Sequence, residues 1–285
     1  MKLYIVADME GATGITHADQ LLESGGQRYW KGCKLLTDDL NAVIKGAVSE
    51  GVSEVIVSEG HANMRIILVE DLHPAARVIR GPAKWQSKPL CQVAALPDDA
   101  DVGMFVGFHT RAGTPGGLLC HTWAGAVVHK FLLNGKEVGE TAINAALLGD
   151  KNVPVALVCG GDDLAKEAQE DLGDVQVAIT KEVLGVDLAA CWGPQKTLPL
   201  LEEAAAEATR RHKRGDFKPY VVSGPVTAEI EVHKDAMAER MTAVPGIERT
   251  GRRAIRLKSE NATDALALAW RTISEVFYKP DAWLR

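Results

Sequence analysis

Two carboxylates follow the first apolar run of the chain, in the sequence Ala7-Asp8-Met9-Glu10-Gly11. In extended backbone, residues i and i+2 point the same way, so the side chains of Asp8 and Glu10 can converge on one point. Burying two carboxylates without compensation costs several kcal/mol, and a bound cation removes that cost. This pair therefore predicts a cation site, with a solvent-exposed acidic loop as the alternative.

Two histidines follow later apolar runs. His61 comes soon after residues 55–57, and His109 comes directly after residues 102–108. Because α/β folds bind ligands at the carboxyl ends of their strands, we expect both histidines at the same sheet edge as Asp8. Imidazole and carboxylate ligands suit zinc, with manganese or cobalt as weaker choices. For each histidine taken alone, ordinary polar surface is the alternative.

Two further residues are candidates for the same site. Glu140 follows Val138-Gly139 and opens a helical pattern, where the helix amino end favours an ionised carboxylate. It could be a metal ligand or simply a helix cap. His121 follows a glycine-rich stretch, residues 113–117, and near a metal it could move protons at neutral pH. A structural histidine bonded to backbone is its alternative.

The elements that must position these residues alternate between short β-branched runs and longer helical patterns. This alternation is typical of an α/β fold, and we expect a three-layer architecture with a mixed, largely parallel sheet. An Asn134-Gly135 turn predicts one hairpin and therefore some antiparallel pairing. Strands are expected at 3–6, 55–57, 78–79, 102–107 and 154–159, and helices at 29–50, 140–148, from Asp162 or Asp163, and at 197–213.

The texture of the sequence changes after Gly215. We expect strands at 220–222, 227–232 and 254–257 and helices at 235–242 and 262–277. This pattern predicts two domains. Residues 1–214 would form an α/β metal-binding catalytic domain, and residues 215–285 a smaller α/β lobe.

Composition excludes several classes of protein. The 285 residues carry 32 Lys and Arg against 38 Asp and Glu, a net charge of −6, which argues against a nucleic-acid partner. The five cysteines are odd in number and never spaced C-x-x-C, which argues against a disulfide framework or a thiolate zinc site. Neither a leader pattern nor an apolar run of about 20 residues is present, so we expect a cytoplasmic protein with no membrane partner.

Taken in order, several of these segments resemble the DppA-type D-aminopeptidases, zinc enzymes of dipeptide-transport operons. The resemblance runs through at least residues 1–190 and lies in the ordered set rather than in any single motif. The matching segments are Asp8-Met9-Glu10-Gly11, the histidine at 61, Val106-Gly107-Phe108-His109, His121-Thr122, Asn134–Glu140, Val153-Pro154-Val155 and Gly160-Gly161-Asp162-Asp163.

The resemblance implies a cofactor, a set of roles and an assembly. It implies two zinc ions per chain, bridged by Asp8 and bound by Glu10, His61, His109 and Glu140. His121 would match the catalytic histidine of the family. The substrate would be a short peptide with a free amino terminus. The chain would form a ring-like homo-oligomer, a decamer in the best-known case.

Two positions depart from the family pattern. Glu59 stands where the family commonly has Asp, so a hydrogen bond that orients the ring of His61 could be altered. Ile66 stands where an asparagine often occurs, five residues after that histidine. If the amide lines the substrate pocket in the family, the preference for D-alanine peptides could differ here.

The sequence therefore predicts a metal-dependent aminopeptidase that hydrolyses the amino-terminal bond of short D-amino-acid peptides through a zinc-activated water. Three alternatives stay open. The first is an L-aminopeptidase or another metal amidase on the same scaffold. The second is a non-catalytic peptide-binding protein linked to transport. The third is a phosphate or nucleotide binder that uses the loop Gly11–Gly14, although this loop lacks the spacing of the known phosphate-binding motifs.

Overall fold

The computed structural model describes residues 1–278. A seven-stranded sheet forms its centre. Its strands are β1 (Lys2–Ala7), β2 (Glu54–Glu59), β3 (Ala76–Ile79), β4 (Val102–Phe108), β7 (Val155–Gly161), β8 (Gln176–Gly185) and β9 (Leu188–Cys191). Their spatial order is β3-β2-β1-β4-β7-β8-β9. The neighbouring strands from β3 through β8 pair in parallel, and β9 runs antiparallel to β8.

The second sheet is antiparallel throughout and has the order β11-β12-β10-β5-β6. Its strands are β5 (Val128–Leu133), β6 (Lys136–Glu137), β10 (Val226–Val232), β11 (Glu248–Arg249) and β12 (Ala254–Ser259). The helices of the chain are α1 (Gln27–Ser49), α2 (Glu140–Gly149), α3 (Asp162–Leu172), α4 (Pro194–Lys213), α5 (Asp235–Met241) and α6 (Ala262–Phe277).

The inner strands β1, β2, β4 and β7 are buried on both faces, as a parallel sheet with layers on each side requires. Alternate residues of β1 enter different cores: Leu3 and Ile5 belong to the core under α1 and α4, and Tyr4 and Val6 belong to the core on the other face. That second core also contains residues of α2, α3 and the antiparallel sheet with its helices. The predicted three-layer α/β architecture with a mixed, largely parallel sheet is therefore confirmed.

The antiparallel sheet takes strands from both sides of Gly215. The predicted Asn134-Gly135 hairpin joins β5 to β6, with both turn residues at positive φ, 47° and 79°. β5 pairs in turn with β10, so the sheet of the C-terminal part is completed by a hairpin from the first part. The division at residue 215 stays a prediction.

One predicted strand is wrong and one hairpin was not foreseen. Residues 220–222 form irregular chain, although their Tyr-Val-Val sequence has high strand propensity. The β8–β9 hairpin, in contrast, extends the central sheet over a stretch for which we predicted no strand. Among the described residues, no helix is both long enough and apolar enough to cross a bilayer.

Candidate metal centre

The position of Asp8 is set by β1, which lies between β2 and β4 in the central sheet. Asp8 follows the strand directly, and its N–H donates to Val106 O at 2.8 Å. The chain then turns, and the N–H of Gly11 donates to Gly107 O at 2.8 Å. A Cβ at Gly11 would lie 1.8 Å from Phe108 O, so this close approach requires glycine. Asp8 and Glu10 therefore converge as predicted, but through a turn rather than through extended chain.

Three histidines meet these carboxylates, and each has one ring nitrogen close to a backbone carbonyl. His61 Nε2 lies 3.0 Å from Leu21 O, His109 Nδ1 2.9 Å from Thr110 O, and His121 Nδ1 2.9 Å from Leu119 O. A carbonyl only accepts hydrogen bonds, so these nitrogens carry the protons. The other nitrogen of each neutral ring then turns an unshared electron pair toward the carboxylates, which is how metal-binding histidines are oriented.

The two oxygens of Asp8 face different partners. Asp8 Oδ1 lies 3.3 Å from His61 Nδ1, which is also 3.1 Å from Glu10 Oε2. Asp8 Oδ2 lies 3.7 Å from His109 Nε2, which is also 3.5 Å from Glu140 Oε1. Asp8, Glu10 and His61, here the first triad, and Asp8, His109 and Glu140, here the second triad, each present ligand atoms within 4.8 Å of one another. Asp8 is common to both, so two cations could share it.

The cluster is buried and rich in negative charge. Asp8, Glu10 and Glu140 are each at most 3% exposed. Within the described part of the chain, Glu10 Oε2 and His109 Nε2 are buried without a hydrogen-bond partner. Unpaired buried polar atoms that point at one another destabilise a fold unless something binds between them. The donor set of imidazole nitrogens and carboxylate oxygens fits zinc.

The carboxylates and histidines of the cluster have pKa values shifted by burial and by one another's charge. Burial raises the pKa of Asp8 to about 7, and the charge of Glu10 adds to the increase. Burial alone would raise the pKa of Glu10, but His61 holds it well below its usual value. Burial alone would lower the pKa of His61 and His109, but Glu10 and Glu140 respectively raise both well above the usual value. The histidines and carboxylates of the cluster therefore shift one another's pKa in opposite directions, as closely packed groups of opposite charge do.

His121 differs from the other two histidines in exposure. Its side chain is 26% exposed, and its ring stacks on His109 with centroids 4.1 Å apart. Its Nε2 lies 3.9 Å from Glu10 Oε1 and 3.8 Å from Glu140 Oε1. Burial and the neighbouring His109 lower its pKa below the usual value. His121 therefore presents a neutral nitrogen that can accept a proton at the mouth of the cluster.

Comparison with known proteins identifies the family. Residues 1–270 match the Peptidase_M55 family, described as D-aminopeptidase. The chain belongs to the D-aminopeptidase family.

A relative in sequence and a solved structure each match almost the whole length of the chain. A D-aminopeptidase of Bacillus subtilis (strain 168) is 34% identical over 266 residues, which are 93% of this chain and 94% of that protein. The solved structure of the Zn-dependent D-aminopeptidase DppA from Bacillus subtilis, described as a self-compartmentalizing protease, matches with a TM-score of 0.89 and 32% identity. The match covers 97% of this chain and 98% of that chain.

The structure thus brings all six predicted site residues of this D-aminopeptidase homologue into one cluster, although their roles stay predictions. The departure at Glu59 has no contact with His61 among the hydrogen bonds of the described residues. Its carboxylate accepts from the N–H of Ile67 at 2.8 Å and pairs with Arg80 at 3.3 Å. The ring of His61 is oriented by Leu21 O instead. Glu59 therefore does not orient the ring of His61, which agrees with the expectation that this hydrogen bond could be altered by the departure from Asp.

Three buried residues around the cluster were missed from the sequence. Lys181 Nζ, fully buried, donates to Glu10 O at 2.8 Å and to Ile15 O at 2.6 Å. Gln92 Nε2 donates to Asp8 Oδ2 at 3.0 Å, and Asn144 Nδ2 donates to Gln92 Oε1 at 2.5 Å. Asn144 follows Glu140 by four residues on one helix, so helical spacing could have found it. Lys181 and Gln92 carry no such signal, because they lie on a strand and an irregular loop far away in sequence.

Proposed function

We propose that this chain is a zinc-dependent D-aminopeptidase that releases the amino-terminal residue of short peptides. The observation that supports it best is the orientation of the three histidines. Each holds its outer nitrogen on a backbone carbonyl and turns its inner nitrogen toward three buried carboxylates. A phosphate-binding loop at Gly11–Gly14 finds no support, since Gly11 is packed against the backbone of β4.

We assign zinc to the two triads, with Asp8 shared between them. Glu10 and His61 would complete the first position, and His109 and Glu140 the second. Two divalent cations would compensate the three carboxylates and accept the electron pairs of the inner nitrogens of His61 and His109. Zinc bound here would lower the pKa of a water and polarise the scissile carbonyl.

The residues of the chain would supply binding and proton transfer. A small cleft opens on the cluster, and His121 and Trp123 belong to its lining. His121 Nε2, neutral because of its lowered pKa, would take a proton from the attacking water and return it to the leaving amine. The free amine of the substrate would bind beside Glu10 and Glu140, which selects peptides by their amino terminus.

We also propose that the chain works as a homo-oligomer, a decamer by family resemblance, in the cytoplasm. Exposed apolar side chains on the β8–β9 hairpin support association, since Leu184, Val186 and Leu188 are each more than half exposed. Val186 O accepts from the N–H of Leu119, so this hairpin touches the loop that carries His121. All five cysteines are free, which suits a reducing compartment.

Hydrolysis of matched D-alanyl and L-alanyl p-nitroanilides tests the proposal. We expect release from the D substrate, loss of release in chelator, and recovery when zinc is added. His129→Ala is the matched control variant, because His129 is an exposed histidine outside the cluster. Faster release from the L substrate would assign an ordinary aminopeptidase. Release that survives complete removal of metal would contradict the zinc assignment.

A further inference from the structure

A buried glutamine contacts two carboxylates of the cluster. Gln92 lies in the irregular stretch between β3 and β4 and is 2% exposed. Its Nε2 donates to Asp8 Oδ2 at 3.0 Å and also to Glu140 Oε2. Its Oε1 accepts from Asn144 Nδ2 at 2.5 Å. Each atom of this amide is therefore used inside a site that already holds three carboxylates.

The chemistry of these partners fixes which way the amide points. Ionised carboxylates only accept hydrogen bonds, so the atom that faces Asp8 and Glu140 must be the NH₂ group. The carbonyl of Gln92 then faces Asn144, which must in turn present its own NH₂ group. Asn144 therefore locks the amide of Gln92 in the orientation that the two carboxylates need.

The backbone around Gln92 is held just as firmly. Ser58 Oγ, at the end of β2, donates to Gln92 O at 2.6 Å. Two residues later, Ala94 N donates to Ser58 Oγ at 3.3 Å, and Ala94 O accepts from the hydroxyl of Tyr4 at 2.7 Å. The loop is thus fixed to the two strands that lead to Asp8 and His61, so its side chain is a rigidly mounted donor.

The contacts of Gln92 are asymmetric between the two triads. Asp8 Oδ2 is the oxygen that faces His109, and Glu140 belongs to the second triad alone. Among the hydrogen bonds of the described residues, Gln92 makes none to Glu10 or to the ring of His61. Glu140 is held on both sides, since its Oε1 accepts from the N–H of Trp123 at 2.6 Å.

We propose that Gln92 is a positioning residue for the second metal position, where it holds Asp8 and Glu140 in the orientation that His109 requires. This inference rests on the proposed two-metal function. Without the amide, Asp8 Oδ2 and Glu140 Oε2 would face each other with no donor between them, and like charges would turn them apart. Removal of an outer partner of this kind lowers metal affinity about 10-fold to 100-fold.

Stepwise metal binding to the full-length, metal-free protein tests the inference. Gln92→Met keeps the length and volume of the side chain but removes its donor, and cobalt(II) reports each site by its absorption spectrum as it fills. We expect the parent protein to bind two ions. In the variant we expect one ion to bind about 10-fold to 100-fold more weakly and the other within about twofold of the parent. kcat should fall as the second metal position loses its ion.

Two further variants keep the test informative. Gln92→Asn retains an amide but is one methylene too short, so it should weaken the same step if Gln92→Met does not fold. Gln176→Met is the matched control, because Gln176 lies on β8 with its contacts at Val177 and Arg211. This control should leave both binding steps unchanged.

The outcomes separate the inference from the function on which it rests. A lower melting temperature with both binding steps intact would mean that Gln92 has only a structural role. Equal weakening of both steps would overturn the assignment to the second position. A parent protein that binds no cobalt and no zinc would overturn the proposed function itself.

Discussion

Asp8→Asn should remove more zinc-dependent stability than the loss of any other single ligand. The reason is geometric, since one oxygen of Asp8 faces His61 at 3.3 Å and the other faces His109 at 3.7 Å. The substitution removes a negative charge from both positions at once. His61→Ala, in contrast, removes a ligand from the first triad alone.

The expected size follows from linkage between binding and folding. A ligand whose free concentration is 100-fold above its dissociation constant stabilises the folded state by about 2.7 kcal/mol for each site. Two occupied positions should therefore add roughly 5 kcal/mol to the free energy of unfolding of the parent protein. Asp8→Asn should lose nearly all of this increment, and His61→Ala about half of it.

Urea unfolding, measured at a buffered zinc concentration and again without zinc, gives the increase in the free energy of unfolding that zinc causes in each variant. The zinc concentration is set from the dissociation constants of the parent protein, and His129→Ala serves as the control outside the cluster. The control should keep the full increment. The shared role of Asp8 would be refuted if Asp8→Asn kept one site's worth of zinc stabilisation. It would also be refuted if His61→Ala lost as much as Asp8→Asn.

Three other substitutions test separate parts of the structure. His121→Ala should keep both zinc ions by metal analysis but lose turnover by about 10²-fold to 10⁴-fold, and near-normal turnover would exclude the proton-transfer role. Burial raises the pKa of Asp39 to about 6, so its protonation contributes stability that is fully present below about pH 4 and is lost as the pH rises through 6. Asp39→Asn should therefore gain up to about 3 kcal/mol over the parent between pH 4 and pH 7 in urea unfolding, and a pH-independent difference would contradict this. Gly11→Ala should disrupt the turn, because its Cβ would overlap Phe108 O, and unchanged melting and metal content would count against that packing.

The carboxyl ends of the strands could be read from the sequence. His109 follows β4 directly, His61 lies two residues beyond β2, and Asp8 follows β1. Neighbouring parallel strands must end at one edge, so residue types and strand ends together located the cluster. Glu140 was harder, because a carboxylate at the start of a helix serves equally well as a cap. Its place in the cluster is set only when α2 packs beside the sheet.

The supporting residues could not be predicted, for a physical reason. Gln92 is separated from Asp8 by 84 positions and Lys181 from Glu10 by 171, and neither lies in a periodic pattern that points to the site. The residue type needed at each of these positions depends on which polar atoms still lack a hydrogen-bond partner in the folded chain. Local sequence therefore determines where a strand ends, and tertiary packing determines which donor is needed there. The irregular chain at 220–222 shows the same override, because its strand propensity met no partner strand.

The turn that carries Glu10 connects the candidate metal centre to helices α1 and α4, which pack on one face of the central sheet. Thr13, three residues later, donates its N–H to Asp39 Oδ2 on α1 at 2.7 Å, and its hydroxyl lies 2.8 Å from that of Thr197 on α4. Lys181 fastens the same segment from β8 and stays fully buried, and burial lowers its pKa to about 8. Burying the ammonium group of Lys181 and the carboxylate of Asp39 costs free energy. Their presence around one short turn indicates that the conformation of the turn must be fixed closely. Because the first triad takes Glu10 from this turn, its geometry depends on α1, α4 and β8 as much as on its own ligands.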